Sequence, residues 1–528
     1  MTSTADVVIT NAKVFTSDKD NLWAEAVAIK DNRIVFTGKT GDVTPYIDSA
    51  TKVIDGQGRT LTAGFIDSHF HLLWGAISMG GAQLYDAQNI EDVKNILQTF
   101  EKENKTNAWV EGRGIKYNII NNRKELDEII PDKPVYINAY DGHTSWANTK
   151  ALEMAGILNS GEAPGNGVIV RDENGIATGE LRETAMGLVD DLIPEPSDER
   201  KRELLLRTIK DINAKGVTSV HNMNGDMQEL SVYAALEDAN EMTLRVYVPY
   251  HILPETTEEM LSEAAEMAKV QGEFARGGAA KFFMDGVWES YTALNIEPYA
   301  DNAEAKPDGI YSLEHFTRMA KLCDQMGLQV FVHCCGDAAV KRTLDGYESI
   351  QKSNGKRDSR HRVEHIEVIH PDDIPRFKQL GVLPSMQTSH APFSIGEGDV
   401  WPTRVGKQRW HLSFAWRDIK NAGNDIAFGS DWPVAPYDVM INLHVGMNRE
   451  KWSPNDPDQT LTLEECIIGY TRDAAYAEFK ENEKGQIKVG YLADLVLFSH
   501  DLFALDKKDI LQAKPILTIV DGKIAFEA

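Results

Sequence analysis

Short apolar, β-branched runs recur along the middle of the chain, with helix-compatible stretches such as 198–215 and 257–270 between most of them. That alternation predicts βα units and a parallel sheet. Strands are expected over 61–68, 217–221, 245–250, 280–285, 329–333, 362–365, 382–387 and 425–429. Their number is that of an α/β (β/α)8 TIM barrel. The two ends follow a different pattern. Residues 26–38 read as two short strands around Asp31-Asn32, and 516–526 as two more around Asp521-Gly522, with a further strand over 494–499. Isolated hairpins are marginal in water. One small β-sandwich built from both termini, 1–60 plus 487–528, is therefore expected beside a barrel domain over 61–486. The stretch from about 75 to 200 is too long for one crossover helix. It is expected to be an insertion lying over the top face, and it contains the strand-like run 134–138.

Composition narrows the class. The chain has 528 residues, 42% hydrophobic and 26% charged, as expected of a globular enzyme. A formal charge of −26 argues against nucleic acid and anionic membrane surfaces, which select basic partners. The expected partner is a small-molecule substrate, with a homodimer as the candidate assembly. Four cysteines, Cys323, Cys334, Cys335 and Cys466, are too few for a disulfide scaffold and fit a reducing compartment. The N-terminus lacks a basic region followed by an apolar core, and no run of about 18 apolar residues occurs. A cytoplasmic location is expected.

In a barrel the active site lies at the C-terminal ends of the strands. Strand 1 ends in His69 and His71, which point to one side because they are two apart. Strand 4 carries Lys281, strand 5 ends in His333, strand 6 in His365, and strand 8 in Asp431. Such a set suits a divalent metal: imidazole and carboxylate are ordinary zinc ligands, and catalytic sites keep a position for water. Bound water is acidified toward neutral pH, and a nearby carboxylate can move its proton. A buried lysine has a depressed pKa and as a free amine can take up carbon dioxide. Asp285 shares the parity of Lys281 and is a candidate acidic partner for it.

The order His-x-His, Lys, His, His, Asp resembles the amidohydrolase superfamily. Asp141-Gly-His-Thr-Ser-Trp-Ala-Asn-Thr-Lys-Ala-Leu152, Thr178-Gly-Glu-Leu-Arg-Glu183, Lys281-Phe-Phe-Met-Asp-Gly286, His333-Cys-Cys-Gly-Asp337 and Ser385-Met-Gln-Thr-Ser-His390 resemble its family 3 branch, which includes the N-substituted formamide deformylases. The resemblance implies one metal on His69 and His71, another on His333 and His365, Lys281 as a bridging carbamate, and Asp431 as ligand and proton shuttle. It implies hydrolysis of a C–N bond in an N-acyl or N-formyl amine, by attack of a metal-activated hydroxide. Deamination or ester hydrolysis at the same site, or a non-hydrolytic isomerase or binding barrel, remain the alternatives. The metal is zinc first, one or two per chain, although such ligands suit several metals. Cys334 and Cys335 stand where a small residue is expected and are read as buried fillers. Substrate contacts are expected from Trp74, Trp288 and Trp432 at the rim, from His143 and Trp146 in the insertion, and from Gln387 and His390 on strand 7. Glu289 and Arg182 are further candidates, and His221 is read as a residue supporting the ligands or packed in the core rather than as a ligand.

Overall fold

In the computed structural model, which describes residues 4–396 and 398–528, eight parallel strands form a barrel. They are β1 (Phe65–Phe70), β2 (Val217–Asn222), β3 (Arg245–His251), β4 (Ala275–Phe283), β5 (Gln329–Cys334), β6 (Arg362–His365), β7 (Leu383–Met386) and β8 (Ala427–Phe428). Each pairs in parallel with the next. Beyond the short β8 the ring closes on β1: Phe70 bridges Trp432, and Asp431 N–H donates to the His69 carbonyl at 2.7 Å. Helices fill the crossovers. Asp198–Asn213 starts where Ser197 Oγ accepts the Arg200 N–H, and it buries Leu204, Leu205, Ile209 and Ile212 on one face. The helix read over 257–270 is shorter, Leu261–Met267.

The strand predicted over 61–68 is two strands. Thr60–Ala63 pairs with Lys13–Phe15 and Leu495–Phe498, whereas β1 begins at Phe65. Gly64 separates them, and a Cβ there would lie 2.3 Å from Thr218 Oγ1. Only glycine lets the chain pass so close to β2. Residues 60–63 therefore belong to the terminal sandwich. One of its sheets holds Arg33–Gly38, Ala26–Lys30, Val7–Thr10 and Lys52–Asp55; the other holds six strands, from Lys523–Glu527 to Trp23–Ala24. Val7, Ile9, Val27 and Ile29 of the first meet Val14, Leu61, Leu495 and Leu517 of the second, the alternation expected of half-buried strands.

The segment after β1 holds a six-stranded sheet of its own, ordered Val168–Arg171, Ala177–Arg182, Thr144–Ala147, Val135–Ala139, Val110–Ile115 and Ala82–Gln83. Helices Ile90–Glu103, Arg123–Ile129 and Thr149–Met154 cover it, and it has its own apolar clusters. Among the described residues, no helix is long and apolar enough to cross a membrane.

Candidate metal centre

β1 carries His69, and the turn just beyond it carries His71. Each imidazole is oriented by an acceptor on Nδ1. His69 Nδ1–H donates to Glu364 Oε2 at 2.8 Å, and His71 Nδ1–H to Asn224 Oδ1 at 2.5 Å. Both Nε2 atoms then present lone pairs. They lie 3.3 and 3.0 Å from Asp431 Oδ1, a buried oxygen that accepts no hydrogen bond among the described residues. Three lone-pair donors facing one another repel unless a cation lies between them, and oriented imidazoles with a carboxylate are ordinary ligands for one. Burial, then the neighbouring His365 and Lys281, holds the His69 pKa well below its usual value, so the ring stays neutral. Asp431 itself has φ of +62°, and His365 of +70°, backbone conformations uncommon for residues with a Cβ.

The other half of the rim is arranged the same way. His365 Nδ1–H donates to Gln387 Oε1 at 2.8 Å, and its Nε2 is buried without a partner among the described residues. His333 Nε2–H donates to the Gly286 carbonyl at 3.1 Å, leaving Nδ1, and its ring centroid lies 4.4 Å from that of His365. Asp431 Oδ2 is 3.7 Å from His390 Nε2 and 3.8 Å from His365 Nδ1. Two triads have all their ligand atoms within 4.8 Å of one another: His69, His71 and Asp431, and His365, His390 and Asp431. His333 lies outside the second triad, and His390, expected to meet a leaving group, stands in it.

Lys281 is fully buried, its Nζ 4.0 Å from the Phe283 ring centroid and without a hydrogen bond among the described residues. Burial pulls its pKa down to about 8, against the opposing pull of Glu364 and Asp431. Asp285 is not its partner. That carboxyl accepts the backbone N–H groups of Leu294, Cys335 and Gly336 at 2.9, 3.0 and 2.8 Å, and so ties together the loops after β4 and β5.

The centre opens into a cavity of about 640 Å³. Trp74, His143 and His390 line it. Four other residues expected to touch substrate do not line this cavity. Trp146 packs in the core of the insertion against Tyr117. Trp288 is fully buried against Tyr299, with Nε1–H donated to the Cys335 carbonyl. Trp432 fills the space over Gly75, where a Cβ would lie 2.0 Å from its ring. Gln387 is spent on orienting His365. Position near a rim motif fixes the height of a side chain and not its direction. Arg182 is taken up by Glu180 at 2.6 Å. Cys334 faces Thr343 at 3.2 Å and Cys335 lies 3.4 Å from His333 Nε2. Burial pushes both thiols up. His221 lies deeper, between Arg362 and Glu478, and burial pushes its pKa down to about 4.

Sequence reading missed the groups that orient the ligands, Glu364 and Asn224, and most of the acidic wall. His143 Nδ1–H donates to Glu183 Oε2 at 2.9 Å, and Glu183 also accepts Ser290 Oγ at 3.1 Å and Thr292 Oγ1 at 2.5 Å. That carboxylate fastens the insertion to the loop after β4. Burial pushes the His143 pKa down, but Glu183 and then Asp141 outweigh it and raise the value to about 9. Glu289, bonded by Tyr140 at 3.1 Å, is pushed up to about 7 by burial and by Asp141. Glu367 accepts Trp401 Nε1–H at 2.7 Å and is held well above the usual carboxylate range by burial and Glu289. Glu289, a candidate from the sequence, and the Asp141–Leu152 and Thr178–Glu183 motifs, which contain Asp141, His143 and Glu183, were the visible signals of this wall.

The profile of the Amidohydrolase family matches residues 52–526. Protein LONG AFTER FAR-RED 3 of Arabidopsis thaliana is 30% identical over 98% of this chain and 91% of its own length. The N-substituted formamide deformylase of Arthrobacter pascens is 26% identical over 100% of this chain and 99% of its own. An uncharacterized metal-dependent hydrolase from Pyrococcus horikoshii shares the fold with a TM-score of 0.77 at 23% identity, covering 95% of this chain and 99% of its own.

Proposed function

The chain belongs to the amidohydrolase family, and from that premise we propose that it is a metal-dependent hydrolase of a non-peptide C–N bond, in an N-acyl or N-formyl amine. The observation that carries this reading is the convergence of two imidazole lone pairs on the unbonded Oδ1 of Asp431. His69, His71 and Asp431 would hold one divalent metal, zinc in the first instance. His333 and His365 would hold a second, to which Lys281, as a carbamate, would add a ligand. For that, the free Lys281 amine adds to the carbon of carbon dioxide and releases one proton, and a pKa near 8 leaves a share of free amine at neutral pH. When bound, the metal supplies a water acidified toward neutrality and a Lewis-acid contact for a carbonyl oxygen.

The chain's own groups do the rest. Asp431 takes a proton from water and passes it to the departing nitrogen, so that water adds across the C–N bond and an acid and an amine leave. His143, cationic near neutral pH and clamped by Glu183, fixes the polar end of the substrate. Trp74, Tyr311 and Trp401 give the cavity an aromatic wall for an apolar N-substituent. The deformylase relative supports the same chemistry. The test is metal content with anomalous scattering at the rim, then a panel of N-formyl and N-acetyl arylalkylamines. Release of acid and amine that stops with a chelator and returns with metal is expected. Turnover indifferent to the chelator overturns the reading.

A further inference from the structure

β6 is four residues long, and its alternation turns Arg362 and Glu364 to one face, the barrel interior. Both are fully buried. Glu364 Oε2 accepts the Nδ1–H of His69, while Oε1 lies 2.8 Å from Arg362 Nε and Oε2 accepts Arg362 Nη2–H at 3.1 Å. The Nε–Oε1 contact is an ion pair without hydrogen-bond geometry, and the Nη2–Oε2 bond is the directed one; both terminal nitrogens are committed further. Nη1 donates to His221 Nδ1 at 2.9 Å, and Nη2 also to the Ser68 carbonyl at 2.5 Å and to Ser385 Oγ at 2.8 Å. Its carbon lies 4.2 Å from the Phe331 ring centroid. One side chain thus engages β1, β2, β5, β6 and β7 beneath the metal centre.

Stability alone is a weak reason for this arrangement. A buried ion pair is often replaced by well-packed apolar groups at no loss, because desolvation offsets the attraction. A guanidinium adds direction: its planar fork holds a carboxylate in one orientation, which an ammonium cannot do. The direction matters here because Glu364 decides which nitrogen of His69 carries hydrogen and which way the ring faces.

We propose that Arg362 is a positioning residue of the metal centre: through Glu364 it fixes the His69 ring so that Nε2 faces the ion. This rests on the reading of His69 as a ligand. Arg362 touches neither ion nor substrate. Its effect is on ligand orientation, and partners of this kind change metal affinity by about 10–100-fold.

The test uses the full chain stripped of metal and reloaded with Co(II) alone, read by competition with a chromophoric chelator and by the visible spectrum. Arg362→Met is expected to weaken Co(II) binding by about 10–100-fold and to change the visible bands. Arg362→Lys, which keeps charge without the fork, is expected to fall between the two. Arg245→Met, at the opposite end of the barrel, is expected to lower Tm and leave Co(II) affinity and spectrum as in the wild type. A folded Arg362→Met chain with wild-type affinity and spectrum overturns the proposal. Should that variant fail to fold, Glu364→Gln carries the same two readouts: weaker binding is expected, and unchanged binding overturns the proposal. A wild-type chain that binds no Co(II) overturns the metal reading itself, a separate outcome.

Discussion

The two ends of the barrel treat buried polar groups in opposite ways. At the floor, charges are matched. Arg245 meets Asp494 at 2.8 Å and Asp521 at 3.0 Å, and Glu478 meets Lys484 at 2.7 Å and also Arg276. At the mouth, Lys281 Nζ, His365 Nε2, His390 Nε2 and Asp431 Oδ1 are buried without hydrogen-bond partners among the described residues. Unpaired buried polar atoms are costly, by about 1–3 kcal/mol each. Unpartnered buried atoms occur elsewhere too, Glu478 Oε1 of the floor among them, but that oxygen has a cation at 2.7 Å, whereas the four at the mouth belong to one cluster of candidate ligands. Charge pairing thus marks the floor, and a cluster of unpartnered ligand atoms marks the mouth.

That contrast breaks if mouth variants behave like floor variants. The largest effect is expected from Lys281→Ala, which should lower metal content from two ions per chain to one; two retained ions would remove the carbamate ligand. Asp431→Asn should keep most of the metal and lower kcat by about 10²–10⁴-fold, the usual share of a proton-transfer group. Full turnover in that variant would take the shuttle role away from Asp431. Arg245→Met is the floor counterpart: it leaves Asp494 and Asp521 facing each other without a cation and should cost about 3–5 kcal/mol in chemical denaturation. Metal loss there would blur the distinction between the ends.

The smallest effect is a difference in pH response. Arg245 and backbone bonds hold Asp494 below its usual pKa despite burial, so its contribution is present above about 4 and is lost as pH falls through the lower folded value. His143 is raised from 6.5 to about 9, so its contribution is full below 6.5 and is lost as pH rises through about 9. Floor and mouth should thus weaken on opposite sides of neutrality. Stability measured from pH 6 to 10 should decline on the alkaline side in the wild type and less in His143→Gln.

Much of this was legible in the residues. The eight apolar runs gave the barrel because buried parallel strands carry a simple signal. The six ligand candidates lay at one rim because strand ends are easy to locate. Direction was harder. Trp74 and Trp432 each follow a metal motif by a few residues, yet one lines the cavity and the other fills the core over Gly75. Leu61–Ser68 reads as a single apolar run, and only the clash a Cβ at Gly64 would have with Thr218, more than 150 residues away, explains the break. Glu364 was hidden by its neighbours, since Arg362, Glu364 and Glu367 make the whole stretch look polar. The shared parity of Arg362 and Glu364 on a buried strand was the available clue.

Gly64 has a consequence for synthesis. The strand on one side of it, Thr60–Ala63, is held on its far edge by Leu495–Phe498, which leaves the ribosome more than 430 residues later. Until then the sandwich has an open, apolar edge directly joined to the strand that bears His69. Open edges of this kind invite mispairing and recognition by chaperones and proteases. A chain stopped short of Leu495 would hold every candidate metal ligand and still display that edge, so the sandwich joined to the His69 strand is completed only by the closing strands.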